Sequence, residues 1–106
     1  EIYLRRVRTV GHHGMTALSE TVEITNQRGL HARASAKFVT FVSRLPEGVT
    51  VEVEKAGSRV HGTSIMGLMM LGAAKGDSIT IHTSGEGAEV ALKKLVGLVK
   101  DSFGED

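Results

Sequence analysis

The sequence has no cysteine, no tryptophan and a single proline, and aromatic residues make up only 4% of its 106 residues. Without cysteine, disulfide bonds and cysteine-ligated metal sites are excluded, which is usual in a reducing compartment. The aromatic residues are Tyr3, Phe38, Phe41 and Phe103, and none lies on a predicted strand. A nucleic-acid-binding sheet is therefore disfavoured, because it stacks bases on exposed aromatic side chains. The core is predicted to be aliphatic and methionine-rich.

Net charge and hydropathy further restrict the functional class and the location of the protein. The formal net charge is +1, which by itself indicates no affinity for nucleic acid, since that affinity needs clustered Lys and Arg. No apolar run approaches the ~20 residues that span a bilayer. Arg5, Arg6 and Arg8 interrupt any signal-like apolar segment near the N-terminus. We therefore expect a cytoplasmic protein with one domain of ordinary size. Separately, we expect it to be a monomer.

The first residues differ in composition from the rest. We predict that residues 1–19 form a flexible leader or an upstream extension, with Met15 as a plausible start, and that residues 20–106 form the domain. The alternative is a basic arm or a metal-binding pair at His12 and His13. Two adjacent histidines with no third ligand nearby are a weak metal signal, so no metal is expected.

Hydrophobic periodicity predicts four strands and three helices. Strands are predicted where apolar and polar residues alternate, at 21–25, 49–54, 59–62 and 78–83. Helices are predicted where apolar residues recur at helical spacing, at 32–45, 64–71 and 88–100. This order is typical of an α+β fold in which helices cover one face of a mostly antiparallel sheet.

The loop before the first helix holds the main candidate for chemistry, His31. Gly29 permits a tight turn, and the predicted helix begins directly after His31. A helix N-terminus favours an anion, and a neutral imidazole nitrogen there can accept a phosphoryl group. Arg33 can pair with phosphate oxygens in a planar fork. The simpler alternative is a surface or capping histidine without a role.

The second candidate region is the short apolar helix. Ser64 stands at a natural N-cap position. Core packing is predicted for Ile65, Leu68 and Leu71, whereas Met66 and Met69 are predicted to form an exposed, adaptable patch. His61 and His82, on predicted strands, are interpreted as structural or solvent-facing.

Two motifs resemble those of a known family. They are Gly29-Leu30-His31-Ala32-Arg33 and Ser64-Ile65-Met66-Gly67-Leu68-Met69, and they are similar to the two signatures of the histidine-containing phosphocarrier (HPr) family. This family serves the bacterial phosphoenolpyruvate-dependent sugar phosphotransferase system. The resemblance covers residues 20–103 and implies an open-faced β-sandwich of four antiparallel strands and three helices, in the order βαββαβα.

The resemblance also implies roles for individual residues. His31 would take a phosphoryl group from Enzyme I at Nδ1 and pass it to EIIA-type domains, with Arg33 contacting the phosphoryl group. Ser64 would be a regulatory site for an HPr kinase/phosphorylase. From the residues themselves we predict that Ile65, Met66 and Met69 dock partners, since a carrier with a donor and several acceptors needs an adaptable apolar patch near its histidine. No cofactor is implied, and the chain would be an intermediate in a relay rather than a self-contained enzyme.

The sequence departs from the family pattern at two positions. Ala34 replaces the usual proline, and Thr63 replaces a frequent lysine. Alanine is a good helix former, so we expect a slightly less rigid helix start and retained function. Two alternatives stay open: a carrier of the parallel nitrogen-related relay, and a regulatory module whose binding depends on phosphorylation.

Overall fold

The structure, a computed structural model, describes residues 6–10 and 15–105, with side-chain positions from residue 17 onward. The strands are β1 (Arg6–Val10), β2 (Met15–Glu23), β3 (Thr50–Lys55), β4 (Ser58–His61) and β5 (Ser78–Ser84). The helices are α1 (Ala32–Ser43), α2 (Ile65–Met70) and α3 (Ala88–Lys100), followed by a 3-10 turn at Ser102–Gly104.

The strands form one antiparallel sheet in the order β1-β2-β5-β3-β4. Val22 lies opposite Ile79, and Ile81 lies opposite Val53. Side chains alternate between the two faces of a strand, so these four residues share the inner face. The predicted α+β fold, with antiparallel strands and three helices, is confirmed, and β1 adds a fifth strand at one edge.

The first predicted strand begins earlier than its pattern indicates. The prediction started it at Thr21, whereas β2 begins at Met15. Leu18 and Val22 both face the core, but Glu20 stands between them on the same face and interrupts the apolar alternation. The predicted domain start at residue 20 therefore falls inside β2, and β1 lies within the predicted leader. Whether residues 1–19 are a leader stays a prediction.

Four of the N-terminal residues discussed above, Tyr3, Arg5, His12 and His13, lie outside the described residues.

The core lies between the sheet and the helices. The predicted apolar stripe of α3 is buried, from Ala88 to Val99. Phe38 of α1 and Phe103 after α3 are fully buried. The core is aliphatic as predicted, but the prediction that it is methionine-rich is wrong, because Met66, Met69 and Met70 are all exposed. Among the described residues, no helix is long and apolar enough to span a membrane.

Candidate functional site

The His31 loop, residues 26–31, is built around a glycine that no other residue can replace without strain. Gly29 has φ +63°, and a Cβ atom there would overlap the carbonyl oxygen of Ala73 and lie 2.8 Å from Cα of Ala74. The next residue, Leu30, donates its backbone N–H to that same Ala73 oxygen at 2.9 Å. The loop is therefore pressed onto the turn that follows α2, which fixes the start of α1.

His31 is the N-cap of α1, and its own backbone carries out the capping. Its carbonyl accepts the first helical hydrogen bond, from Ser35 N–H at 2.9 Å, while its side chain makes no capping bond. The imidazole is therefore available for other contacts. The N–H groups of residues 32–34 precede the helical ladder and give this end of α1 a partial positive charge.

The side-chain carboxylate of Glu105 forms a hydrogen bond with one nitrogen of the His31 ring. His31 Nε2 lies 2.7 Å from Glu105 Oε2, and Asn26 Nδ2 donates to Glu105 Oε1 at 3.0 Å. The hydrogen bond from Asn26 lowers the pKa of Glu105 most; partial desolvation opposes this, and the hydrogen bond from His31 lowers the pKa further. An ionised carboxylate only accepts, so the network assigns the proton to Nε2 and leaves Nδ1 for chemistry.

The surroundings of His31 are basic. A cavity of about 380 Å³ opens beside the ring, lined by Gln27, Arg28, His31, Arg33, Lys37, Gly104 and Glu105. Three of these side chains are cations against the single carboxylate of Glu105, and the helix N-terminus adds its partial positive charge. Such a cavity suits an anion with several oxygens, as a phosphoryl group has, and Arg33 can pair with two of those oxygens.

The motif that begins at Ser64 starts with the predicted helix N-cap. Ser64 is the N-cap of α2, and its Oγ accepts a hydrogen bond from Gly67 N–H at 2.9 Å. Leu68 and Leu71 are buried as predicted. The core assignment of Ile65 is wrong, since 41% of it is exposed. In this six-residue helix, Ile65 lies in the first turn, and the buried positions begin one turn later at Leu68.

The exposed side of α2 forms an apolar patch, which we define as Ile65, Met66, Met69 and Met70. Met66 is 69% exposed, and Met70, which was not among the predicted docking residues, is more exposed still. Helix α2 packs against α1, and the turn after α2 contacts Gly29. The helix that carries the patch is therefore packed directly against the elements that hold the His31 loop.

The other two described histidines lie away from this site. His82 pairs with Glu54 at 2.8 Å on the outer face of the sheet, and His61 is exposed, 3.9 Å from Glu52. Both positions agree with the structural or solvent-facing interpretation. Within the described residues, no group of three or more acidic or histidine side chains is placed to hold a metal ion.

Sequence reasoning missed Glu105. It lies 74 residues after His31, beyond the last predicted helix, and no spacing pattern connects the two. Asn26 and Lys37 have contacts at the site that the sequence does not indicate either: Asn26 bonds Glu105, and Lys37 Nζ donates to the Phe103 carbonyl at 2.6 Å. Only the apolar Phe103, isolated near the C-terminus, could have signalled that this segment returns to the core.

Comparison with known proteins gives one consistent family. The family model described as the PTS HPr component phosphorylation site matches residues 18–101. The phosphocarrier protein HPr of Neisseria meningitidis is 48% identical over 88 residues, covering 83% of this chain and 97% of that protein. A phosphocarrier protein NPr from Shewanella violacea is 38% identical over 92 residues, covering 86% of this chain and 98% of that protein.

A solved structure agrees with this result. The crystal structure of HPr from Thermoanaerobacter tengcongensis superposes with a TM-score of 0.77 and 40% sequence identity, covering 83% of this chain and 97% of that one. Members of the family interact with enzymes of the phosphotransferase system. The chain belongs to the HPr family, the phosphocarrier proteins of the bacterial phosphotransferase system.

Proposed function

We propose that His31 carries the phosphoryl group, accepting it at Nδ1 from Enzyme I and passing it to EIIA-type domains. The observation that carries this proposal is the placement of His31 at the N-terminus of α1, with Nε2 held by Glu105 and a basic cavity beside the ring. We further propose that the carrier is monomeric and cytoplasmic and needs no cofactor or metal.

Arg33 is proposed to stabilise the phosphoryl group in transit. It is exposed, lines the cavity and lies two residues after His31 in the first turn of α1. A guanidinium contributes two parallel hydrogen bonds to phosphate oxygens. Ala34, where the family usually has proline, is buried in the same turn. Alanine is a favourable helix residue there, which supports retained function.

Intact mass spectrometry tests the proposed function directly. The protein is incubated with Enzyme I and phosphoenolpyruvate, and its mass is measured before and after brief acid treatment. We expect the mass of one phosphoryl group, lost in acid as phosphohistidine would be. If no mass is added, although the same Enzyme I labels a reference HPr, the proposed function is wrong for this chain.

The apolar patch is proposed as the docking surface for the donor and the acceptors. Methionine side chains adapt to differently shaped partners, which suits a carrier that must bind several proteins. The proposed docking residues are Ile65, Met66 and Met69. The exposure of Met70, in the same apolar patch, supports this proposal.

A charge placed in the patch is expected to weaken docking. In Met66→Asp, a buried carboxylate would lack a partner in the complex, so we expect KM for the phosphoryl donor to rise about tenfold or more. The matched control is Val90→Asp. It introduces the same charge in place of another exposed apolar side chain, on α3, of which 57% is exposed. KM is obtained for both variants from steady-state rates of phosphoryl transfer. Equal KM values for the two variants would show that the patch is not part of the docking interface.

Ser64 is proposed as a regulatory phosphorylation site for an HPr kinase/phosphorylase. Its neighbours Ile65 and Met66 belong to the apolar patch, so a phosphate on Ser64 would place negative charge beside the docking surface. ATP-dependent labelling by such a kinase should occur on the wild-type protein and not on Ser64→Ala. Equal labelling of both proteins would exclude Ser64 as the site.

The capping role of Ser64 has its own expected cost. Ser64→Ala removes the acceptor of Gly67 N–H, so the free energy of unfolding should fall by about 1 kcal/mol. Urea unfolding measures this change. Ser43→Ala is the control, because its hydroxyl donates to Thr40 O, within the same helix, at an exposed position. A comparable loss in both variants would show that the cap contributes nothing specific.

A carrier of the nitrogen-related relay is the second candidate, supported by the NPr relative from Shewanella violacea. Phosphorylation rates with the Enzyme I proteins of the two relays would separate the candidates. A rate that is higher with the nitrogen-related enzyme would favour this second candidate. A module that binds partners only in one phosphorylation state is compatible with either relay.

A further inference from the structure

The C-terminal turn, residues 102–105, is anchored at three points beside the His31 loop. Phe103 is fully buried, and its carbonyl accepts a hydrogen bond from Lys37 Nζ at 2.6 Å. The Ser102 hydroxyl lies 2.8 Å from that of Thr25, which directly precedes the loop. These contacts carry the backbone past the site and bring Glu105 to the ring of His31.

The backbone of this turn is strained. Ser102 and Phe103 both have φ +55°, a left-handed conformation that costs free energy for residues with a side chain. Such strain persists only where surrounding contacts overdetermine the conformation. The burial of Phe103 and its bond to Lys37 supply those contacts, and the resulting geometry presents the Glu105 carboxylate to the ring of His31.

The second oxygen of Glu105 is held by a fixed donor. Asn26 is fully buried, and its Nδ2 donates both to Gly29 O at 2.8 Å and to Glu105 Oε1. Because both neighbours are acceptors, the amide cannot be reversed, and its Oδ1 is left buried without a hydrogen-bond partner. The Asn26 amide is therefore oriented for the carboxylate, which leaves Oε2 to accept from His31.

We infer that Glu105 is a positioning residue for phosphoryl transfer at His31, an inference that rests on the proposed function. By accepting from Nε2–H, it fixes the orientation of the ring and, in the neutral imidazole, selects the tautomer in which Nδ1 carries the lone pair. The Nδ1 lone pair then forms the bond to phosphorus while the donor keeps the electron pair of the bond that breaks. Positive charge develops on the ring, whose proton stays on Nε2, and the Glu105 carboxylate stabilises that charge. When the group leaves, the electron pair of the P–N bond returns to Nδ1.

The test compares Glu105→Gln with Asp101→Asn in the full chain. Both variants remove one negative charge near the C-terminus, but Asp101 is exposed and does not line the site cavity. For Glu105→Gln we expect kcat for transfer from Enzyme I to fall about tenfold with KM nearly unchanged, since the contact acts on the ring and not on docking. Asp101→Asn should keep the wild-type rate.

A second readout separates positioning from a structural role. In ring-labelled protein, the ¹⁵N shifts of His31 Nε2 and Nδ1 should change in Glu105→Gln and stay unchanged in Asp101→Asn. Glu105→Asp keeps the charge on a shorter side chain and should recover part of the rate. A wild-type rate in Glu105→Gln, or a slow rate with wild-type ring shifts, would overturn the inference. If the wild-type protein takes up no phosphoryl group, the proposed function itself has failed.

Discussion

His31→Ala is expected to take up no acid-labile phosphoryl group from Enzyme I and phosphoenolpyruvate, while its fold is retained. The nucleophile is the ring itself, so no neighbouring group can replace it. Folding should be little affected, because His31 caps α1 through its backbone carbonyl and its side chain makes no capping bond. The contact to the partly exposed Glu105 is lost as well, but an ion pair that solvent can reach contributes little to stability.

His61→Ala is the matched control for this experiment. It also removes one imidazole, but from an exposed position on β4. Intact mass and urea unfolding, measured on both variants, should show a label only in the control and similar stability in the two. A label that persists in His31→Ala would move the acceptor to another residue, and the proposed mechanism would be withdrawn.

The secondary structure could be predicted from the sequence wherever buried residues recur with the period of a strand or a helix. The alternation of Val51 and Val53 with polar residues predicts β3, and the stripe from Ala88 to Val99 predicts α3, because each pattern matches the period of its element. Prediction failed where a polar residue faces inward. Glu20 interrupts β2 in this way, so the N-terminal half of that strand was not recognised.

The candidate site was accessible from sequence only in its local part. Gly29, His31 and Arg33 lie within five consecutive residues, so loop, cap and cation could be read together. Glu105 reaches His31 through the packing of Phe103 and the hydrogen bond from Lys37, both of which are tertiary contacts. Contacts at such separations follow from the folded topology, and no local propensity encodes them.

Three segments distant in sequence meet at His31. The His31 loop contributes the ring, the turn after α2 supports the loop through Ala73, and the C-terminal turn contributes Glu105. The position of the ring therefore depends on the fit between the loop and the supporting turn as much as on the helix that follows. This fit depends on the missing side chain of Gly29.

Gly29→Ala should lower both stability and the rate of phosphoryl transfer. The new Cβ would overlap Ala73 O and lie 2.8 Å from Ala74 Cα, both rigid backbone atoms. Either the His31 loop or the turn after α2 must therefore move. We expect the free energy of unfolding to fall by about 3 kcal/mol or more. Movement of the loop would also displace His31, and misplacement by about 1 Å can cost on the order of a hundredfold in rate.

Gly72→Ala separates the effect of packing from that of backbone conformation. Gly72 has φ +66°, close to the +63° of Gly29, but a Cβ atom there would meet nothing within 4 Å. Both variants therefore carry the same left-handed penalty of about 1 to 2 kcal/mol, and only Gly29→Ala adds the collision. Urea unfolding and initial labelling rates should show a clearly larger loss for Gly29→Ala. Equal losses would mean that the loop tolerates displacement, and that the contact with Ala73 does not control the position of His31.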